Sequence, residues 1–264
     1  MGSAGKEVLD PIRGGHYAAK QIYCRDRLIA WAHRRRYATG LRLASIFRGR
    51  RLLDYGCGDG TFLAMLCAGG DRPAIAVGAE LDDAQVMDCR TRLAGLSGVS
   101  FERIASLDRD AHRGAYDGIV CMEVLEHVVD LDAVIDRLHR VLADTGTLIV
   151  SVPVETGLPL LIKQTARRIA GWRGIGEYRH TSSYTIREYI AGVFAGRRPH
   201  MRRPIYNQSG TGVPFHDHKG FNWKALADRL ARRFAIERTM ASPFAVLGPH
   251  FGGQVWLVAR KKTV

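Results

Sequence analysis

The segment L-L-D-Y-G-C-G-D-G-T-F, Leu52 to Phe62, sets Gly56, Gly58 and Gly60 at every second position just after Asp54. Alternate glycines let a turn take φ > 0 and let backbone approach a ligand closely. A helix starting there presents free N–H groups and its positive dipole end to an anionic group. A dinucleotide fingerprint, G-x-G-x-x-G, needs the third glycine one residue later. With this shorter spacing and Asp54 in front, a pyrophosphate would be repelled and a ligand bearing an ammonium group welcomed. A purely structural glycine turn is the plainer alternative. Glu80 closes A-I-A-V-G-A-E, 20 residues after Gly60. An acid at the end of a second strand accepts hydrogen bonds from both hydroxyls of an adenosine ribose.

Histidine supplies the second kind of chemistry. A hydroxyl nucleophile gains roughly 10²–10⁴-fold from a general base, most often an imidazole. Ten histidines are present. His127 follows Glu126 in V-L-E-H-V and reads either as that base or as a packing residue at a helix start. R-H-T-S-S-Y-T-I-R-E-Y, Arg179 to Tyr189, carries His180 ahead of a T-x-x-E capping box at Thr185 and Glu188. H-D-H-K-G-F-N-W, His216 to Trp223, carries His218 ahead of a helix that Asn222 would cap. Of these two segments the second is preferred, because the helix and strand after His218 read as closing elements of the core. His16, His33, His112 and His139 read as ordinary surface or half-buried residues. His216-x-His218 with Asp217 is half a metal set, but no H-x-x-E-H or C-x-x-C partner exists, so no metal is expected.

These residues need elements to hold them. From Arg51 the chain alternates short apolar runs with amphipathic stretches. Strands are expected at Arg51–Tyr55, Ala74–Ala79, Ser100–Ala105, Tyr116–Met122 and Thr147–Val152. Helices are expected at Thr61–Ala68, from Asp82 or Asp83 to about Leu96, and at Leu131–Leu142. Alternation implies parallel pairing in a doubly wound sheet, with ligands at the carboxyl ends of its strands. After Pro153 one crossover helix would suffice, yet about 80 residues intervene before Phe234. Helices at Leu160–Ala170 and Thr185–Phe194 and a Gly-, Pro- and Arg-rich loop at Gly196–Val213 fill that span. A helix at Trp223–Phe234 and strands at Ala235–Thr239 and Gln254–Ala259 close the fold. The expected units are 1–50, an N-terminal helical cap; 51–153, the ligand-binding core; 154–221, a cap insertion for the acceptor; and 222–264, completion of the sheet.

Leu52–Phe62, Gly78-Ala79-Glu80, Tyr116–Val128 (Y-D-G-I-V-C-M-E-V-L-E-H-V) and Arg137–Pro153 resemble class I S-adenosylmethionine-dependent methyltransferases, in particular those acting on small molecules. The four motifs cover about 100 residues in the family's order. The resemblance implies a Rossmann-like, mostly parallel seven-stranded α/β sheet, with N-terminal helices and a helical cap inserted before the last strands, one of them antiparallel. It also implies that Asp54, Gly56, Cys57, Gly58 and Gly60 hold the methionine end of S-adenosylmethionine, and Glu80 with Leu81 the ribose. Cys121, Met122 and Glu123 would line the methyl-transfer cleft. The family's acid near the third strand, which contacts the adenine amine, falls in a departing stretch, F-E-R-I-A-S-L-D, leaving Ser106 and Asp108 as alternatives. Cys121-Met122-Glu123-Val124 stands where enzymes that methylate base amines have an Asn/Asp-Pro-Pro-aromatic tetrad.

The 264 residues carry a formal charge of +13. Residues 1–50 contribute +8, residues 51–150 −8, and the remainder +13. The basic flanks suit an anionic acceptor, a membrane surface or RNA, or are simply a solvated face. No recognisable RNA-binding module accompanies them. The longest apolar candidate, around Leu148–Ile162, is broken by Pro153, Glu155 and Pro159, and the N-terminus lacks a signal-peptide stretch. Five scattered cysteines read as reduced thiols, so a cytoplasmic protein is expected. The reading is a methyltransferase acting on an oxygen or nitrogen of a small-molecule intermediate of a natural product, glycan or lipid. An RNA methyltransferase, and a cofactor-binding regulatory protein without catalysis, are its rivals.

Overall fold

The computed structural model describes residues 11–172, 184–208, 211–243 and 248–262. A seven-stranded sheet runs in the order β3-β2-β1-β4-β5-β9-β8. Its strands are β1 (Arg51–Tyr55), β2 (Ile75–Glu80), β3 (Val99–Arg103), β4 (Tyr116–Met122), β5 (Leu142–Pro153), β8 (Phe234–Ser242) and β9 (Gln254–Lys261). The first five pair in parallel; β9 is antiparallel to both β5 and β8, as expected.

Period-two alternation divides the core between the faces. Leu53, Ile119, Val150 and Leu257 pack in one cluster, while their neighbours Leu52, Val120, Ile149 and Trp256 pack in the other. Against the first face lie α4 (Leu131–Val141) and α7 (Trp223–Leu230), with Ile135, Leu138, Leu226 and Leu230 inward. Against the second lie α1 (Arg27–Ala44), α2 (Thr61–Ala68) and α3 (Asp83–Arg92), preceded by a π-helical turn at Ala18–Ile22. Between β5 and α7 come α5 (Gly157–Trp172), α6 (Ile186–Val193) and a two-stranded ribbon of β6 (Tyr206–Asn207) and β7 (Pro214–Phe215). No helix among the described residues is long and apolar enough to cross a membrane.

Several bounds differ from expectation for local reasons. β5 starts at Leu142 rather than Thr147, because Leu142 pairs with Tyr116 as the chain leaves α4. α7 stops at Leu230 rather than Phe234, whose fully buried ring opens β8 opposite Lys261. The third strand gives way at Ile104 to a 3₁₀ turn through Asp108. The supposed loop 196–213 contributes β6, and Phe215 of the ribbon bridges to Val128. The chain winds outward from β1 to β3, then crosses to β4 on the other side. The resulting crevice opens at the carboxyl ends of β1, β2 and β4, where Asp54, Glu80 and Glu123 stand.

Candidate active site

A cavity of about 910 Å³ occupies that crevice. Its near end is the β1–α2 turn. Gly56, Gly58 and Gly60 have φ of 73°, 55° and 71°, the left-handed region that glycine enters freely. The N–H groups of Gly56 and Cys57 both bond the Ala79 carbonyl, at 2.8 and 3.1 Å, and so tie the turn to the end of β2. Glu80 Oε2 accepts from Gly58 N at 2.8 Å and Oε1 from Leu81 N at 2.6 Å. Each oxygen keeps a lone pair for a further donor.

Three carboxylates crowd this end. Asp54 is buried, and burial, then Glu80 and Asp59, pushes its carboxyl up to about 8. Its Oδ2 has no hydrogen-bond partner. A buried acid unpaired among other acids is stable only when protonated or facing a cation. Asp59 is differently placed: Oδ2 accepts from Tyr17 N (2.8 Å) and Ala18 N (3.1 Å), and Oδ1 from Thr61 N (3.1 Å). It thereby pins the N-terminal segment over the glycine turn, with Tyr17 on the cavity wall.

The far end is built from β4, α1 and the ribbon. Glu123 has φ 57°, the one non-glycine residue with positive φ among those described. Such strain clusters at functional sites. Its carboxylate accepts from Ser151 Oγ at 3.2 Å and pairs with Arg36 at 3.4 Å; Arg36 also donates to Gln21 at 2.6 Å. His33, one turn before Arg36, lines the cavity with its pKa lowered to about 4 by burial and then by Arg36. Opposite stand His127 and His218, ring centroids 4.8 Å apart. His127 Nδ1 lies 2.7 Å from the His216 carbonyl, and His216 N donates to the His127 carbonyl at 2.9 Å. Burial lowers both rings, His218 to about 4, so both are neutral at pH 7.

The cavity thus joins Asp54, the glycine turn with Cys57, Glu80, Leu81, Met122, Glu123, His127 and His218. Four expected members stand outside it, the first being Gly60, which abuts Leu93 and Phe101 rather than the cavity. Asp108 is exposed and held by Arg137 and Arg140 at 2.9 and 2.8 Å, and Ser106 lies in the same 3₁₀ turn; Ile104 reaches the wall instead. Cys121 points into the core from the inner pleat of β4, fully buried. His180 lies outside the described residues. His216 turns to the Pro204 carbonyl at 2.7 Å, so the H-x-H pair does not act as a unit.

Other cavity residues escaped the sequence reading. Asp59 sits within the glycine motif itself, two residues before the helix whose first N–H it accepts. His33 and Arg36 share a helix face at i, i+3, a spacing that carried a signal. Outside the cavity, His112, expected as a surface or half-buried residue, is buried and bonds the Tyr116 hydroxyl at 2.7 Å.

Residues 30–194 match the family profile described as a methyltransferase domain. The chain belongs to the class I methyltransferase family. Among curated proteins, it is 32% identical over 99 residues to the ubiquinone biosynthesis O-methyltransferase of Pectobacterium atrosepticum, covering 37% of this chain and 40% of that one. The namesake of Mesorhizobium japonicum is 24% identical over 216 residues, covering 80% of this chain and 76% of the relative. The chain therefore spans less than half of the first relative's length and about three quarters of the second's. Among solved structures, the PH0226 protein of Pyrococcus horikoshii OT3 superposes with a TM-score of 0.58 at 15% identity, over 90% of this chain and 93% of that one. An S-adenosylmethionine-dependent methyltransferase of Mesorhizobium loti gives 0.52 at 14% identity, over 86% and 98%. S-adenosylmethionine is the family's cofactor, and the cavity fits it. The unpartnered, buried Asp54 oxygen has the chemistry to accept an ammonium group, and a Cβ at Gly56 would collide with Val124 where the backbone borders the cleft.

Proposed function

We propose that this methyltransferase moves a methyl group from S-adenosylmethionine to a hydroxyl oxygen of a small-molecule biosynthetic intermediate. One observation carries the reading: the acids Asp54 and Glu80 and the imidazoles of His127 and His218 line a single cavity. The O-methyltransferases among its relatives support oxygen as the atom methylated.

When bound, the cofactor supplies a methyl group activated by a positively charged sulfur. Asp54 faces the ammonium group, with Gly56, Cys57 and Gly58 close to the methionine backbone. Glu80 accepts from the ribose hydroxyls, with Leu81 beside it. Ile104, rather than Ser106 or Asp108, borders the adenine end. Met122 and Glu123 line the passage to the acceptor. His127 and His218 meet the acceptor's hydroxyl, and one of the two imidazoles takes its proton as the new carbon–oxygen bond forms and the carbon–sulfur bond breaks. Positioning in a narrow cleft supplies much of the remaining acceleration.

The test is incubation with methyl-labelled cofactor and either a small-molecule extract or total RNA, with S-adenosylhomocysteine release followed in both. Label in extractable small molecules, stable to alkali as a methyl ether is and a methyl ester is not, is expected. Label in RNA alone would overturn the reading, and cofactor binding without release under any condition would favour a regulatory protein.

A further inference from the structure

Between the glycine turn and α3 the cavity wall carries a polar edge. Glu80 Oε2 accepts from Gly58 N at 2.8 Å. The Tyr17 ring lies against Gly58, where a Cβ would stand 3.1 Å from Tyr17 Cδ2 and Cε2. Asp59 fixes Tyr17 there by accepting from its N–H at 2.8 Å. The Tyr17 hydroxyl in turn reaches the side chain of Gln85, in the first turn of α3. Glu80, Gly58, Tyr17 and Gln85 are therefore successive neighbours, and all four line the cavity.

The edge is rich in acceptors that await a donor. Burial raises the Tyr17 phenol, the Gln85 side chain opposes the rise, and Glu80, Asp59 and Asp82 add to it. A neutral side chain favours the phenolate by donating to it, so the Gln85 amide N–H₂ points at the phenol oxygen. Gln85 Oε1 is turned away from Tyr17, and it is buried with no hydrogen-bond partner. The three carboxylates facing the phenol are acceptors already engaged by backbone. Asp82 Oδ1 takes Ala84 N at 2.8 Å, and Glu80 and Asp59 each use both oxygens. A buried amide oxygen without a donor carries the full cost of its lost hydration. Gln85 thus has a carbonyl oxygen to fill and Tyr17 a hydroxyl hydrogen to give, and a single alcohol group can meet both.

We propose that Gln85 and Tyr17 are specificity-determining residues for the cofactor and read one hydroxyl of its ribose. That hydroxyl donates to Gln85 Oε1 and accepts from the Tyr17 O–H. The assignment rests on the cofactor placement given above and refines it. One ribose hydroxyl stays with Glu80, and the other, still beside Glu80, turns its hydrogen to Gln85. Because Tyr17 belongs to the N-terminal segment and Gln85 to α3, the bound ribose also ties one to the other.

The test is calorimetry on the whole chain with S-adenosylhomocysteine and its 2′-deoxy and 3′-deoxy analogues. A site built around a hydroxyl rejects the analogue that lacks it, because its own polar groups are left unpaired. Gln85→Ala should bind S-adenosylhomocysteine about three- to tenfold more weakly than the parent. It should bind one of the two deoxy analogues as tightly as the parent does. Tyr17→Phe keeps the ring on Gly58 and removes only the hydroxyl, and should narrow the preference against that same analogue. Alanine suits a helix, so Gln85→Ala leaves α3 intact, and a melting temperature within a few degrees of the parent checks this. Equal losses on all three ligands would make Gln85 a structural residue and overturn the proposal, as would unchanged affinity for S-adenosylhomocysteine. Failure of the parent protein to bind S-adenosylhomocysteine at all would instead overturn the cofactor placement beneath it.

Discussion

Asp54 keeps its proton up to about pH 8 in the ligand-free protein, because burial and then its neighbours Glu80 and Asp59 oppose a third charge. An exposed aspartate gives its proton up near pH 4. Raising pH across that window therefore removes stability from the ligand-free fold. An ammonium group facing Asp54 reverses the sign, since it favours the ionised carboxylate. Two outcomes follow at this scale. Calorimetry at pH 7 in buffers of different ionisation enthalpy should register release of close to one proton on S-adenosylhomocysteine binding, and the ligand's thermal shift should be larger at pH 8.5 than at pH 6. Proton uptake, or a shift independent of pH, would contradict the assignment. Glu80 gives a second case. Both of its oxygens already accept from backbone N–H groups, so Glu80→Gln sets an amide N–H₂ against a donor. Calorimetry should find the ligand bound more weakly by ~1–3 kcal/mol in Glu80→Gln as in Glu80→Ala. An unchanged dissociation constant would remove Glu80 from the site.

The elements depend on a few backbone positions that differ in what surrounds them. Gly60 has φ 71°, and a Cβ there would lie 2.7 Å from Leu93 Cδ1 and 3.0 Å from Phe101 Cε1. Gly114 has φ 58° with open space around it. Gly60→Ala should therefore cost about 2 kcal/mol or more, from strain and overpacking together, and Gly114→Ala about 1 kcal/mol from strain alone. Urea denaturation separates the two; equal losses would show that packing at Gly60 relaxes. Asn222 caps α7 through Lys224 N at 3.0 Å, while its amide nitrogen donates to the Gly196 and Arg198 carbonyls at 2.9 and 3.2 Å. Asn222→Ala should cost about 1–2 kcal/mol in the same experiment. The cap on α7 was legible in sequence because capping is local, and so was the T-x-x-E box, which forms as read. The glycine turn and Glu80 were legible because strand, turn and helix lie within one stretch of chain. The ribbon that carries Phe215 to Val128 was not, since its partner lies 87 residues away. A similar distance in sequence hid the meeting of His127 with His218, each visible singly as a candidate base.

At the scale of the molecule, the N-terminal segment belongs to the cavity through Asp59. Asp59→Asn would oppose an amide to the N–H groups that both carboxylate oxygens now accept. Limited proteolysis should then cut the segment before β1 faster than in the parent, and S-adenosylhomocysteine should protect it less. Equal cutting rates would mean that packing of Ile12 and Ile22, not Asp59, holds the segment. Composition located the acidic core between basic flanks but not this grip, which joins residues 41 and 42 positions apart. The place of β9 sets a clock on biosynthesis. β5 has its inner neighbour β4 as soon as it is made, but its outer edge pairs only with β9, about 100 residues later. At ~5–20 residues per second, the ribosome leaves that apolar edge open for roughly 5–20 s. Trp256, fully buried at the centre of β9, arrives only at the end of that interval. An edge of Leu148, Ile149, Val150 and Val152 held open so long is a template for unwanted pairing. The nascent chain is thus most in need of a chaperone when its cofactor-binding half is already synthesised.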